Sequence, residues 1–89
     1  PKLRRVDLSL TLVDDSELES LTSCENIEDL DLWGTPITDA GIKHLHKMTQ
    51  LKQVGLFGTA VSDDAVAELK NALPEIAVVN GFDTVEPTN

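Results

Sequence analysis

One unit of sequence recurs three times in this chain, and its spacing limits the possible folds more than any other feature. The unit has apolar residues at its first, fourth, sixth and eleventh positions and a threonine at its ninth, and its copies begin at residues 3, 27 and 51. The period is therefore 24 residues, without insertion or deletion. A period of this length indicates a solenoid, because one such unit is too small to bury its own apolar face and must stack on its neighbours.

The first half of each unit is predicted to be a β-strand. Alternate residues of a strand face opposite sides of a sheet. Leu30 and Leu32 are therefore expected to point towards the core, while Asp29, Asp31 and Trp33 point outwards. The same alternation holds in the units before and after.

The second half of each unit is predicted to be a short helix. Apolar residues recur there at every third position, which suits one helical stripe. The expected inward positions are Leu18, Leu21 and Cys24, then Ile42, Leu45 and Met48, then Val66, Leu69 and Ala72. This pattern predicts that Cys24 is buried rather than reactive.

Polar residues mark the start of each helix. Asp14, Thr38 and Ser62 each stand just before the apolar stripe, where a side-chain oxygen can accept a hydrogen bond from a free helix N–H. Asp14 and Glu17 together have the spacing of a capping box. Strand, turn and helix must therefore alternate, and repeating such a crossover gives a one-layer parallel sheet backed by helices.

This pattern resembles a leucine-rich repeat, and the resemblance covers residues 3 to about 79. The stretch T-P-I-T-D-A-G-I at residues 35–42 is similar to the bacterial variety with T-x-[IV]-T-D-A-G-[IL]. The resemblance implies a right-handed α/β horseshoe whose curved parallel sheet forms the concave side. Thr11, Thr35 and Thr59 stand where the family usually has asparagine, which implies a buried ladder that bonds the backbone of adjacent coils.

The chain is predicted to be a single domain over residues 1–89. The repeats are placed at 3–26, 27–50 and 51–75, and a C-terminal strand and tail at 76–89. Ile76 and Val79 are expected to begin that strand, and the tail through Phe82 to fold over the end or fray. Because Leu3 begins a repeat at once, the first strand has an open edge. We expect the chain to be a fragment of a longer protein, or to be covered there by another chain or a second copy.

The chain is acidic, with 16 acidic and 7 basic residues and a net charge of −9. That charge opposes binding to nucleic acid and to anionic membrane surfaces. No apolar stretch approaches the roughly 20 residues of a membrane span. The sequence does not indicate a cellular compartment, and one cysteine cannot form an internal disulfide.

The outward strand residues are the candidate binding surface. They form three columns: Arg5, Asp29 and Gln53; Asp7, Asp31 and Gly55; Ser9, Trp33 and Phe57. We expect a protein partner to bind at Asp29, Asp31, Trp33, Gln53 and Phe57, because exposed aromatic residues supply much of the binding energy at interfaces. The alternative is that the aromatic residues form a cross-strand pair that only shields the sheet.

The acidic residues of these columns have two interpretations as well. Asp7 and Asp31 would repel each other unless a cation lies near, and Arg5 or Lys52 could supply it diagonally. The pair could seat a lysine or arginine from a basic patch of the partner, or it could be an ordinary solvated acidic face. The outermost column, Arg4, Glu28 and Lys52, alternates in sign and suggests cross-strand ion pairs.

No catalytic, cofactor-binding or metal-binding residues are predicted, and no cofactor is expected. His44 and His46 are two residues apart and would face different ways on a helix, with no third ligand close in sequence. No nucleophile, acid and base can be assembled from one repeat. The sequence therefore predicts a protein-interaction module rather than an enzyme. The alternative is a structural C-terminal cap of a longer array with no ligand of its own.

Overall fold

The computed structural model describes residues 4–79, which form an α/β fold of four strands and three helices. In chain order these are β1 (Arg5–Asp7), α1 (Asp15–Leu21), β2 (Asp29–Asp31), α2 (Asp39–Leu45), β3 (Gln53–Gly55), α3 (Asp63–Ala72) and β4 (Ala77–Val79). The strands pair in parallel in chain order as a single sheet, β1-β2-β3-β4. The predictions that concern Leu3 and residues 80–89 lie outside the described residues.

The strand register equals the sequence period. Arg5 pairs with Asp29, which pairs in turn with Gln53, so each strand residue lies beside the one 24 positions further on. A constant register aligns equivalent side chains into columns that cross the sheet. The columns of Arg5 and Asp7 predicted from the sequence are therefore confirmed across the first three strands, while the column of Ser9, Trp33 and Phe57 follows the strand ends.

The core lies between the sheet and the three helices. Its strand-side members include Leu30, Leu32, Val54 and Leu56, all with no exposed surface. The helices contribute fully or almost fully buried side chains to the same cluster, namely Leu18, Ile42, Leu45 and Leu69. All three helices thus cover one face of the sheet, and the other face is left to the outward-pointing columns.

The helix starts agree with the sequence prediction. Asp14, Thr38 and Ser62 are the N-cap residues of α1, α2 and α3, and each accepts a hydrogen bond from a backbone N–H of its own helix. At α1 the capping box is complete, because Glu17 N–H donates to Asp14 and Asp14 N–H donates to Glu17. Each cap satisfies donors that the first helical turn leaves unpaired.

Two predicted inward helix positions are wrong. Cys24 is exposed although Met48, at the equivalent position after α2, is buried; within the described residues α1 packs against one helix, whereas α2 packs between two. Ala72 is also exposed, and Leu73 is buried at the end of α3 in its place. Helix α3 has ten residues where α1 and α2 have seven, so the apolar residue that closes the third unit comes one position later.

The start of the fourth strand also differs from the prediction. The sequence predicts that Ile76 and Val79 begin this strand, whereas β4 spans Ala77–Val79 and Ile76 is buried just before it. In the structure Val78 pairs with Val54 and packs against the core, while Val79 pairs with Gly55. The one extra residue of the third unit, between Leu51 and Ile76, is cancelled by the loss of one residue between Ile76 and β4, which restores the 24-residue register.

The threonines do not connect adjacent units. Thr11, Thr35 and Thr59 donate from Oγ1 to the carbonyl oxygens three residues earlier, at distances of 2.6, 2.6 and 2.7 Å. Those carbonyls belong to the same unit, so each hydroxyl tightens its own turn. The predicted ladder between units is therefore wrong, because the short side chain reaches only the local backbone.

Carboxylates connect the helices of adjacent units instead. Asp15 accepts hydrogen bonds from the backbone N–H and the hydroxyl of Thr38, at 2.8 and 2.5 Å. Asp39 accepts the same pair of bonds from Ser62, both at 2.7 Å. The first helical residue of one unit thus binds the N-cap residue of the next unit.

The outer sheet face as the candidate functional site

The outer sheet face is the side of the sheet opposite the helices. It carries the outward residues of β1 to β3, which are Arg5, Asp7, Asp29, Asp31, Gln53 and Gly55, and the two aromatic residues that follow β2 and β3, which are Trp33 and Phe57. The structure therefore brings together all five residues predicted to contact a partner. They lie in neighbouring columns on adjacent strands.

Arg5 bridges two carboxylates of the next strand. Its Nη2 donates to Asp31 Oδ2 at 3.2 Å, and its Nε lies 3.8 Å from Asp29 Oδ2. This hydrogen bond to Asp31 raises the pKa of the Arg5 guanidinium above its ordinary value, helped by the charge of Asp29. Arg5 is thus the diagonal cation that the sequence predicts, and its charge reduces the repulsion between neighbouring carboxylates.

Lys52 pairs with a residue of the outermost column instead of with these two carboxylates. It forms an ion pair with Glu28, with 4.0 Å between Lys52 Nζ and Glu28 Oε1, as the alternating outermost column predicts. It does not join the Asp29 and Asp31 pair. Arg5 is therefore the cation that balances these two carboxylates within the described residues, and the columns of Arg5 and Asp7 keep an excess of negative charge.

Asp29 and Asp31 are partly shielded, with side chains 27% and 16% exposed, whereas the Arg5 side chain is 69% exposed. Asp29 Oδ1 is buried and has no hydrogen-bond partner. Gly55 leaves room for the Asp31 side chain, since a Cβ there would come within 3.2 Å of Asp31 Oδ1. The two carboxylates thus lie closer to the sheet than the solvent-exposed Arg5 side chain.

Asp7 has a different role from Asp31. Its Oδ1 accepts a hydrogen bond from the Ser9 backbone N–H at 3.0 Å, and this bond lowers the pKa of Asp7. In the parallel pairing, Leu8 and Leu10 donate their N–H groups to β2 and its extension. The N–H of Ser9 lies on the other side, at the edge of the described sheet, and Asp7 satisfies it.

Trp33 and Phe57 lie where the strands run into turns. The backbone ladder continues past the strand ends, with Leu10 N–H donating to Trp33 O and Gly34 N–H donating to Phe57 O. Each aromatic residue precedes a glycine with a positive φ, +72° at Gly34 and +77° at Gly58, and this left-handed conformation turns the chain towards the helix. The aromatic side chains keep 41% and 38% of their surfaces exposed.

The other candidate residues lie away from this face. His44 is half-buried on α2, and His46 follows the end of that helix with its Nε2 buried and without a hydrogen bond. His46 lines a shallow cavity of about 190 Å³ between α2 and α3, beside Lys43, Asp64 and Glu68. Within residues 4–79, no group of three His, Cys, Asp or Glu side chains is placed to hold a metal ion.

None of the helices in the described part of the chain is long and apolar enough to cross a membrane.

Comparisons with known proteins identify a similar fold but do not indicate an activity. No protein-family model matches the chain, and no curated protein matches it. Among solved structures, the chain is similar to one described as "Structure of Chaetomium Mex67:Mtr2 subunits", with a TM-score of 0.64 and 21% sequence identity. The match covers 85% of this chain and 52% of that chain, so it spans about half the length of the other protein. At this identity the similarity shows the fold alone.

Proposed function

We propose that the chain is a leucine-rich repeat solenoid segment that binds a protein partner on its outer sheet face. The exposed aromatic pair is the observation that carries this proposal. Trp33 and Phe57 are large apolar side chains, and about two fifths of each surface meets solvent although the core lies directly behind the sheet. Aromatic residues in such positions supply a large share of binding energy when a partner covers them.

The surrounding residues give the face the composition of a binding site. Asp29, Asp31 and Gln53 present polar groups beside the aromatic pair, which is the usual arrangement of an apolar centre with a polar border. The solved structure similar to this chain contains two kinds of subunit by its own description, which is consistent with a fold that takes protein partners. The partner itself is identified only by the chemistry of this surface.

The size of the face sets the expected affinity. Parallel strands lie about 4.8 Å apart, so three strands span only about 10–15 Å. A stable interface buries roughly 800 Å² on each side. We therefore expect the isolated chain to bind short ligands weakly, with dissociation constants of about 10 μM or more. Further stacked units would be needed for tight binding.

Selection from a random peptide library displayed on phage tests the proposal. The wild-type chain should enrich peptides that lose at least about fivefold in affinity for a variant carrying Trp33→Ala and Phe57→Ala. Leu12→Ala is the matched control, because Leu12 is 88% exposed but lies in the turn after β1 and outside this face. Peptides that bind the double variant as well as the wild type would exclude the outer sheet face.

A structural cap is the second candidate, and the irregular end of the described chain favours it. Helix α3 is longer than the other helices, and the link to β4 is one residue shorter than the repeat predicts. On this interpretation Ile76→Ala should lower the free energy of unfolding by about 2 kcal/mol through the cavity it creates. The aromatic double variant should then leave every interaction of the chain unchanged, which separates the two candidates.

A further inference from the structure

We propose that Asp29 and Asp31 form the seat for an arginine or lysine side chain of the partner, and that Arg5 occupies this seat when no partner is bound. The inference rests on the proposed function and adds to it the chemistry of the partner and an internal competitor. The expected partner is a basic segment that also carries an apolar residue to contact Trp33 and Phe57.

The geometry of Arg5 shows that the seat accepts a guanidinium group. One guanidinium lies 3.2 Å from Asp31 Oδ2, and its Nε lies 3.8 Å from Asp29 Oδ2. Two carboxylates on neighbouring positions of one face can therefore share a single cation. A partner arginine offers the same planar set of donors, and a lysine offers the same charge.

The seat is also only partly filled. Asp29 Oδ1 is buried without a hydrogen-bond partner, and Arg5 reaches Asp29 only at ion-pair distance. A buried carboxylate oxygen without a donor is unfavourable, so a further N–H group at this position would be stabilising. Because this oxygen is buried, the partner's cation supplies that donor only after Arg5 has left and the Asp29 carboxylate has turned towards it.

Arg5 is suited to leave. Its side chain is 69% exposed, and exposed ion pairs are weak because water competes for both groups. Displacing Arg5 therefore costs little, and the released guanidinium returns to solvent at the edge of the sheet. The Asp31 carboxylate lies over Gly55, which leaves room for it beside the strand.

The charge of the outer sheet face determines which sign of charge is expected on the partner. Arg5 is the cation among the first two outward columns, while Asp7, Asp29 and Asp31 are anions, so the face remains negative with Arg5 in place. An acidic segment would be repelled, and a neutral segment would leave the carboxylates uncompensated when water is excluded. A basic segment matches both the charge and the donors.

The test uses the full 89-residue chain and compares two single-charge variants. Peptides from a random phage-displayed library are selected on the wild type and then titrated as synthetic peptides against Arg5→Gln and Arg4→Gln. Both variants remove one positive charge from the same strand edge, but only Arg5 contacts the seat. We expect the selected peptides to contain arginine or lysine and to bind Arg5→Gln about two- to fivefold more tightly than Arg4→Gln.

Isosteric variants of the seat should have the opposite effect. Asp31→Asn and Asp29→Asn should each weaken binding of the same peptides about fivefold, and binding should weaken further as salt is added. Circular dichroism shows whether each variant is folded. If an asparagine variant fails to fold, the comparison of Arg5→Gln with Arg4→Gln still decides the question.

The outcomes separate this inference from the proposed function. Peptides that require Trp33 and Phe57 but are neutral or acidic, or that bind Arg5→Gln and Arg4→Gln equally, would overturn the basic seat and leave the binding face intact. Selected peptides that ignore the aromatic pair, or a library that yields no specific peptide, would overturn both.

Discussion

Leu10 has a backbone conformation that leucine rarely adopts. Its φ is +63°, and the equivalent positions in the next two units are Gly34 and Gly58, which also have positive φ. The left-handed conformation costs an L-residue roughly 1–2 kcal/mol. The Leu10 side chain recovers part of this cost by packing over Gly34, where a Cβ would collide with it.

Replacing Leu10 by asparagine should stabilise the chain. Asparagine tolerates the left-handed region, so we expect Leu10→Asn to raise the free energy of unfolding by about 0.5–1 kcal/mol. Urea unfolding followed by circular dichroism measures the change. Leu12→Asn is the control, since Leu12 is more exposed and does not have a positive φ, and it should have little effect. Loss of stability in Leu10→Asn would mean that the packing over Gly34 outweighs the backbone strain.

The Asp39 carboxylate should make stability sensitive to acid. The backbone N–H of Ser62, and then its hydroxyl, hold the pKa of Asp39 below the ordinary value. A group whose pKa is lower in the folded state adds stability above its unfolded pKa and loses it as the pH falls through the folded pKa. The urea midpoint should therefore fall as the pH is lowered below about 5.

Asp39→Asn should lower the urea midpoint at pH 7 and make its fall below about pH 5 shallower than in the wild type. Asp64→Asn removes an exposed carboxylate that accepts no hydrogen bond, and it serves as the control. An Asp39→Asn chain with the wild-type acid dependence would show that the bonds from Ser62 do not produce it.

At the scale of the elements, the contacts between helices explain why the first unit departs from the pattern. The N-caps of α2 and α3 each donate a backbone N–H to an aspartate of the preceding unit. Asp14, the N-cap of α1, donates its backbone N–H to Glu17 of its own helix, at 3.2 Å. The capping box therefore satisfies α1 without a carboxylate from a neighbouring unit.

The bond between Asp15 and Thr38 should couple α1 to α2 energetically. A double-mutant cycle with Asp15→Ala and Thr38→Ala should show a coupling free energy of about 1 kcal/mol, because both single changes remove the bond from the Thr38 hydroxyl, while the bond from the Thr38 backbone N–H is lost only in Asp15→Ala. The control cycle combines Asp15→Ala with Ser62→Ala, whose residues belong to units that are not adjacent, and it should be additive. Additivity in both cycles would mean that the bond from the Thr38 hydroxyl does not couple the two helices.

At the scale of the whole molecule, the edge of the sheet at β1 is only partly protected. Asp7 satisfies the outward N–H of Ser9 and places a charge at the edge, which is one way in which proteins discourage strand pairing. Apolar surface remains beside it, since Val6 and Leu8 are half-buried and Leu10 and Leu12 are exposed. A second copy could cover this surface.

We expect the 89-residue chain to associate edge to edge at high concentration, as the sequence predicts. The net charge of −9 opposes association, so added salt should favour it. Asp7→Ala should strengthen association by freeing the Ser9 N–H, and Val6→Lys should weaken it. Sedimentation velocity at rising concentration measures both. A strictly monomeric wild type with amides along residues 4–8 protected from exchange would show that the edge covers itself.

The sequence by itself determined the positions of the first three strands, the helix starts and the columns of the outer sheet face. Asp29, Asp31 and Trp33 could be placed on one side because alternation and a constant 24-residue period act along the chain and carry over directly into register. The N-caps at Thr38 and Ser62 could also be predicted, because capping depends only on residues that are close in sequence. The binding function assigned to this face remains a prediction.

Only the tertiary structure decided the contacts between units and the ends of the elements. Arg5 contacts both Asp29 and Asp31, and Asp15 reaches Thr38, because of distances between side chains in adjacent units that no spacing in the sequence specifies. Cys24 is exposed while Met48 at the equivalent position is buried, because in the described part of the chain α1 has a neighbouring helix on one side and α2 has one on each side. A helix ends where its last carbonyl groups find partners in the folded chain, so periodicity alone does not determine that point.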